Sequence, residues 1–161
     1  MSDVVARGMC AVTVEGALPR AVGLTKRQLK AAAVAFAAES SSRIGVPFRA
    51  VTVVLQDDAF SAEVHLAVNG VEGATDVITQ RYDAMPGEPS GVYGELYVNV
   101  EQAARAAPKR RGWSVAKELL LYVAHGMDHL SGADDLEPKD YDRMRRRELR
   151  WLRALAGTEG R

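Results

Sequence analysis

The sequence predicts an α+β fold: a small, mainly mixed β-sheet packed with helices around one buried central helix. Three or four short segments with alternating or β-branched residues indicate strands, and helical patterns stand before and after them. Residues 115–130 are apolar on almost every side, which is typical of a fully buried helix. A chain of 161 residues with 47% apolar content has the size of one domain, so we expect a single domain over residues 1–161.

The chain opens with a predicted strand and a predicted helix. Residues 10–14 alternate weakly and are expected to form a short strand. Thr25 and Gln28 have the spacing of a capping box, in which the two side chains satisfy the first free amides of a helix. The helix that follows should extend to about Ser40.

The next segments predict a β-hairpin. Residues 50–55 are rich in β-branched side chains and indicate a strand, and residues 56–58 indicate a turn. Apolar and polar residues then alternate over 62–68, which predicts the second strand of the hairpin. His65 is on the polar side of this alternation, so we expect a solvent-facing or partly covered strand residue in preference to a metal ligand.

The second half begins with a loop. Proline and glycine over residues 81–91 argue against a regular element, whereas residues 94–100 alternate and predict a strand. A short helix over 101–107 should end at Pro108.

Two helices complete the chain. Ser114 is a favourable N-cap for the apolar helix over 115–130, and Pro138 suits the first turn of the last helix. We expect the last helix to present an inner stripe, formed by Tyr141, Met144, Glu148, Leu152 and Leu155.

The end of the apolar helix predicts a metal site. His125 and His129 are four residues apart, so both imidazoles can face the same point one helical turn apart. Gly132 would supply a left-handed turn that brings Asp134 and Asp135 back toward them. Two imidazole nitrogens and one carboxylate, with a fourth position left for water, are the usual plan of a catalytic zinc site.

Two further acidic residues lie in the same helix. Glu118 is seven residues before His125 and therefore on its face, where it would either accept a hydrogen bond from a metal ligand or pair with a basic residue. Asp128 lies on the flank near the helix end, and we expect it to reach solvent.

The segment from His125 to Asp135 resembles the signature of the YbeY family, the bacterial rRNA maturation factor or endoribonuclease. That signature reads His-Gly-x-x-His-Leu-x-Gly-x-Asp-His, and the chain retains all of it up to Asp134. The resemblance implies a zinc-type metal held by His125, His129 and the residue at 135. Asp135 stands where the family usually has a third histidine, and aspartate is also a competent zinc ligand. Other divalent metals remain possible at such a site.

A second family pattern, usually Pro-Thr-Asp-Val-Leu-Ser-Phe, is retained only at Thr75, Asp76 and Val77. Asn69 stands where the family tends to carry an arginine, so a charge-assisted phosphate contact would be lost there. Thr75 and Asp76 would either serve the site or satisfy local backbone groups in a loop.

Basic residues near the C-terminal half suggest a nucleic-acid surface. From residue 105 onward there are 13 Lys and Arg against 9 Asp and Glu, whereas the first part has 8 against 12. Arg110 and Arg111 form a compact basic turn, and the last helix is rich in arginine on its outer side. These residues are either ordinary solvated charges or a track for a phosphate backbone.

The resemblance implies a metal-dependent, single-strand endoribonuclease acting in rRNA maturation and ribosome assembly, with ribosomal RNA and possible ribosomal proteins as partners. The alternative is a non-catalytic ribosome-assembly or RNA-binding module in which the metal is structural. A zinc protease is disfavoured, because Gly126 occupies the position of the general base in His-Glu-x-x-His enzymes.

Composition favours a cytoplasmic protein without a membrane partner. Cys10 is the single cysteine, which excludes an intramolecular disulfide and fits a reducing compartment. The N-terminus has no basic-then-apolar signal pattern, and the longest apolar run is far too short to span a bilayer.

Overall fold

The computed structural model describes residues 8–159 of the chain. Its sheet has four strands in the order β1-β2-β4-β3, and the first three of these are parallel while β3 is antiparallel to β4. The strands are β1 (Ala11–Glu15), β2 (Phe48–Gln56), β3 (Val77–Tyr82) and β4 (Val92–Asn99). This mixed sheet, together with the helices, confirms the predicted α+β class.

Five α-helices accompany the sheet in the described residues: α1 (Lys26–Ile44), α2 (Asp58–Asn69), α3 (Val100–Ala106), α4 (Val115–Leu130) and α5 (Pro138–Glu159). Short 3-10 turns occupy Arg20–Val22 and Ala107–Lys109. The predicted capping box is present, because the Thr25 hydroxyl accepts from the Gln28 amide and the Gln28 side chain accepts from the Thr25 amide. Within residues 8–159, no helix has the length and apolar character needed to cross a membrane.

Helix α4 is the buried centre of the fold, as predicted. It begins at its N-cap Ser114, whose hydroxyl accepts from the Lys117 amide, and it packs against β3, β4, α1, α3 and α5. Two glycines allow this close approach. A Cβ on Gly126 would lie 2.8 Å from a Leu96 methyl, and one on Gly94 would lie 2.5 Å from a Leu130 methyl. The last two turns of α4 are therefore held directly on β4.

The predicted hairpin is wrong, because residues 62–68 belong to helix α2. The Asp57 carboxylate accepts a hydrogen bond from the Phe60 amide and caps the start of α2, and Gly70 ends it in the left-handed conformation. Asp57 therefore starts a helix instead of making the hairpin turn. Capping at both ends and the helix-forming residues between them outweigh the alternating pattern. His65 is thus a helical residue, and its Nδ1 lies 2.8 Å from the Gly73 carbonyl oxygen.

Strand β3 is not predicted by the sequence. The sequence identifies Val77 only as part of the second family pattern. The glycine and proline pattern over 81–91 predicts that Arg81 and Tyr82 belong to a loop. In the structure both residues are in β3, and the loop begins at residue 83. The strand exists because antiparallel pairing with β4, for example Thr79 with Leu96, satisfies its backbone groups. Such a distant partner leaves little local signal.

The expectation that Asp128 reaches solvent is also wrong. Asp128 is completely buried, and Arg147 of α5 binds its carboxylate with two hydrogen bonds of 3.0 Å, from Nε to Oδ1 and from Nη2 to Oδ2. Arg43 of α1 lies 3.6 Å from the same carboxylate and also donates to the Ser131 hydroxyl. Burial raises the pKa of Asp128, and the Arg147 guanidinium opposes that shift. The charged pair therefore links α4 to α5 from within the core.

We predict that Asp128→Ala lowers the free energy of unfolding by about 3–5 kcal/mol, because it leaves the largely buried Arg147 guanidinium without its counter-charge. The double variant Asp128→Ala/Arg147→Met should recover most of this loss. Urea unfolding of the single and double variants measures both effects. Asp142→Ala, which removes an exposed carboxylate from α5, should change stability by about 0.5 kcal/mol or less. Equal losses in the single and double variants would contradict this role of the pair.

Candidate metal centre

Three side chains converge at the end of α4. His125 Nε2 and His129 Nε2 are 3.1 Å apart, and Asp135 Oδ2 lies 3.4 Å from the first and 3.5 Å from the second. The two histidines come from successive turns of α4, whereas Asp135 is carried by the segment that turns back after the helix. Gly132 makes that turn with a φ of 95°, the left-handed conformation that the sequence predicted.

The outer nitrogen of each imidazole is already bonded. His125 Nδ1 lies 2.8 Å from Glu148 Oε2, and His129 Nδ1 lies 3.0 Å from the Ala133 carbonyl oxygen. A carbonyl oxygen and a carboxylate oxygen both accept, so each Nδ1 carries the hydrogen. In the neutral rings both Nε2 atoms therefore present lone pairs toward Asp135. Fixing the tautomer in this way is what partners of metal-ligating histidines usually do.

The charge around His125 favours a cation at this point. Burial lowers the pKa of His125, but the hydrogen bond to Glu148 and the negative charge of that residue raise it by more, so the pKa lies above its usual value. Glu148 itself is completely buried. The field of Glu148 therefore stabilises positive charge on the imidazole and at the atoms that it faces.

The spacing of the three atoms fits a metal ion of the size of Zn²⁺. A tetrahedron with metal–ligand bonds of about 2.0–2.1 Å has edges of about 3.3–3.4 Å. The three observed separations, 3.1, 3.4 and 3.5 Å, are close to such edges. In the described residues this is the one group of three or more His, Cys, Asp or Glu side chains that could hold a metal ion. Asp134, by contrast, accepts a hydrogen bond from the Leu136 amide.

A general base of the zinc-protease type does not fit between the histidines. Gly126 occupies that position, and even a Cβ there would approach Leu96 to 2.8 Å and a Val77 methyl to 3.2 Å. A glutamate side chain would therefore collide with the buried sheet. The packing of α4 agrees with the argument made from the sequence against a protease.

Glu118 belongs to a different cluster in α4. Its carboxylate accepts a hydrogen bond of 2.8 Å from Trp113 Nε1 and lies 3.8 Å from Arg110 Nη1. The sequence predicts two alternative roles for Glu118, a contact with a metal ligand or a pair with a basic residue, and the structure shows the second. Ser114 and His125 are separated by about 16 Å along the helix, so this cluster and the exposed Arg111 lie toward the other end of α4.

The second family motif lies on the loop before β3. Ser61 bonds both the amide and the carbonyl of Thr75, and Asp76 accepts from the Val77 amide at 2.7 Å. These contacts correspond to the local backbone role, one of the two roles that the sequence predicts for Thr75 and Asp76. Asp76 also lies close enough to His125 for its charge to raise the pKa of that residue. Asn69 is the exposed last residue of α2.

Sequence reasoning missed the residues that hold the two imidazoles. It places Glu148 only on the inner stripe of the last helix, and it does not identify the Ala133 carbonyl. One signal was available for Glu148. It lies on a predicted buried stripe, and a buried carboxylate requires a partner, as for Glu118. No local pattern connects Glu148 with His125, because they are 23 residues apart.

Comparisons with known proteins agree on one family. A family model described as Endoribonuclease YbeY matches residues 20–156. A protein from Thermus thermophilus named Endoribonuclease YbeY is 33% identical over 112 residues, which are 68% of this chain and 78% of that protein. Another of that name, from Arthrobacter sp. (strain FB24), is 29% identical over 119 residues, covering 70% of this chain and 75% of the relative.

A solved structure has the same fold. The solution structure of TM1509 from Thermotoga maritima matches with a TM-score of 0.57 and 22% sequence identity. The match covers 93% of this chain and 91% of the other. The α+β arrangement described here is therefore also present in an experimentally determined protein.

We predict that Glu148→Gln weakens zinc binding by about 10- to 100-fold, because the amide holds His125 Nδ1 less strongly and removes a negative charge. Competition with a chromophoric zinc chelator measures the affinity. Glu137→Gln, at an exposed position just before α5, is the matched control and should bind like the unmodified chain. Equal affinities of the Glu148 variant and the unmodified chain would show that this carboxylate does not support the site.

Proposed function

Because the chain belongs to the Endoribonuclease YbeY family, we propose that it is a zinc-dependent endoribonuclease that cleaves single-stranded RNA. We propose that His125, His129 and Asp135 hold the metal, and that the substrate is ribosomal RNA undergoing maturation in the cytoplasm. Ribosomal proteins are then natural neighbours of the enzyme. The relatives named above carry the name endoribonuclease, which supports the reaction class.

The observation that carries the proposal is the convergence of three lone-pair donors at the end of α4. Two Nε2 atoms and one carboxylate oxygen face each other within 3.5 Å. With both rings neutral and Asp135 ionised, the three lone pairs would repel one another, and a cation between them would relieve that repulsion. The hydrogen bonds at both Nδ1 atoms prevent the rings from turning away to relieve that repulsion.

The donor set suits chemistry on a phosphodiester. His125, His129 and Asp135 would hold the zinc ion, which would supply Lewis-acid chemistry toward a phosphoryl oxygen or a water molecule. Two neutral imidazoles and one carboxylate carry a single negative charge, so the site as a whole keeps a positive charge that attracts the substrate anion. The chain's own contribution is rigidity, because Glu148 and Ala133 fix the directions of both rings.

One arginine side chain, beside the end of α4, would orient the RNA strand. Arg81 of β3 donates a hydrogen bond of 3.0 Å to the carbonyl of Leu130, the residue that follows His129. Its remaining guanidinium donors are suited to phosphate oxygens. Such contacts would supply the affinity for the backbone that Asn69 of α2 lacks.

A non-catalytic RNA-binding module with a structural metal is the second candidate. Two departures from the family motifs favour it: Asp135 at the third ligand position and Asn69 at the position where an arginine is usual. Under this alternative, removal of the metal would lower stability and there would be no RNA cleavage to lose.

We predict that His129→Ala reduces cleavage of single-stranded RNA by more than about 100-fold while the fold persists, because one of three metal ligands is lost. The assay uses a labelled rRNA fragment with added zinc, and circular dichroism checks the fold. His65→Ala is the control, since it removes a histidine of α2 outside the three-ligand group and should leave cleavage unchanged.

Undiminished cleavage by a folded His129→Ala protein would refute the catalytic assignment. Absence of cleavage by the unmodified chain, combined with metal-dependent thermal stability and retained RNA binding, would favour the non-catalytic module.

A further inference from the structure

Three residues of α5 lie on one face of the helix and lead away from the metal centre. Tyr141, Arg145 and Glu148 are spaced four and three residues apart, which places them on the same side. Glu148 is the innermost and holds His125. Tyr141 is about 10 Å farther along the helix axis. The face therefore begins beside a ligand of the metal site and ends at the protein surface.

Arg145 is the positive charge of this face. Its Nε lies 3.7 Å from Glu148 Oε1, beyond hydrogen-bonding distance, and it is buried without a hydrogen-bond partner. The Nε edge of the guanidinium faces the buried Glu148, so an anion would meet the outer edge, whose Nη2 lies at the exposed Tyr141 hydroxyl.

Tyr141 offers an aromatic surface beside this charge. The Arg145 guanidinium carbon lies 5.4 Å from the centre of the Tyr141 ring, and Arg145 Nη2 donates a hydrogen bond of 3.2 Å to the Tyr141 hydroxyl. The sequence predicted that Tyr141 faces the core, yet the structure leaves 41% of it exposed. Tyr141 lies in the first turn of α5, which begins at Pro138.

A second exposed apolar side chain flanks the site. Leu136 directly follows Asp135 and is 84% exposed. Single exposed apolar residues are common on protein surfaces. Here Leu136 directly follows a proposed metal ligand, and the exposed ring of Tyr141 lies in the first turn of the next helix. The segment from Asp135 into the first turns of α5 therefore carries an exposed apolar side chain, an exposed aromatic ring and the Arg145 charge.

We propose that Tyr141 and Arg145 form a nucleotide subsite beside the metal centre, in which the Tyr141 ring stacks on an unpaired base and Arg145 binds an adjoining phosphate. The proposal rests on the proposed function, because it assigns these residues to the RNA of that same site. Stacking on an exposed ring requires an unpaired base, so the subsite selects single strands without reading their sequence.

The test separates stacking from charge by comparing two ligands. One is a labelled, single-stranded oligouridylate with a phosphorothioate backbone that resists cleavage, and the other is the same chain without bases. Fluorescence anisotropy gives the dissociation constant of each for the zinc-loaded protein. The variants are Tyr141→Leu, Tyr141→Phe and Arg145→Gln, with Arg146→Gln as the control that removes one exposed charge from the same helix.

The subsite predicts a distinct pattern. Tyr141→Leu should weaken binding of the oligouridylate by about 5- to 150-fold and leave the chain without bases unaffected. Tyr141→Phe keeps the ring and should restore binding. Arg145→Gln should weaken binding of both chains by about tenfold or more, and Arg146→Gln by clearly less. If Arg145→Gln does not fold, Arg145→Lys keeps the charge, loses the planar fork and should still bind more weakly than the unmodified chain.

Two results would overturn the subsite: equal binding of oligouridylate by Tyr141→Leu and the unmodified chain, or equal losses for Arg145→Gln and Arg146→Gln. Failure of the proposed function would give a different result: the unmodified chain would not cleave RNA with any divalent metal. Where cleavage occurs, the Tyr141→Leu defect should appear in KM and leave kcat nearly unchanged.

Discussion

The hydrogen bond between His125 Nδ1 and Glu148 connects the central helix to the last helix at the point where the metal centre is built. It buries a carboxylate completely, and burial of a carboxylate is unfavourable unless the charge has a partner. The imidazole supplies that partner, and in return its other nitrogen is aimed at His129 and Asp135. Stability of the helix pair and orientation of a proposed ligand thus depend on the same contact.

Arg147, which precedes Glu148 in α5, forms a second polar link between α5 and α4. Arg147 binds the buried Asp128, while Glu148 binds His125, so two adjacent residues of one helix hold two residues of the other that are one turn apart. Small rotations of α5 would break both links together. This arrangement gives the proposed site a rigid support from two packed helices, with Asp135 on the short segment between them.

Charge counts suggest that the arginines of α5 form a basic outer surface, but two of them pair with buried carboxylates. Arg147 neutralises a buried carboxylate, and Arg145 lies beside another, so part of the basic surplus in the second half of the chain is internal. The count alone could not distinguish these arginines from solvated ones. In the proposed account, RNA binding depends on the position of Arg145 near the metal centre more than on the excess of basic residues in the second half of the chain.

Features encoded within a few residues were predictable, and features made by distant partners were not. The caps at Thr25 and Ser114 and the pairing of His125 with His129 depend on spacings of three or four residues, which a sequence displays directly. The contact of Glu148 with His125 joins separate elements and leaves no such spacing. The wrong assignment of residues 62–68 has another cause, because alternation over a short segment is compatible with a helix that buries little, and in α2 only Ser61 is fully buried. The caps at Asp57 and Gly70 decide the conformation there, and the sequence contained both.

The most direct test of the central claim is elemental analysis of the purified chain after loading with zinc and removal of free metal, beside an Asp135→Ala variant prepared in parallel. The account predicts close to one zinc ion per unmodified chain and a strongly reduced content in the variant, because the third ligand atom is removed. Absence of bound metal in both proteins, or equal content in both, would contradict a site formed by His125, His129 and Asp135.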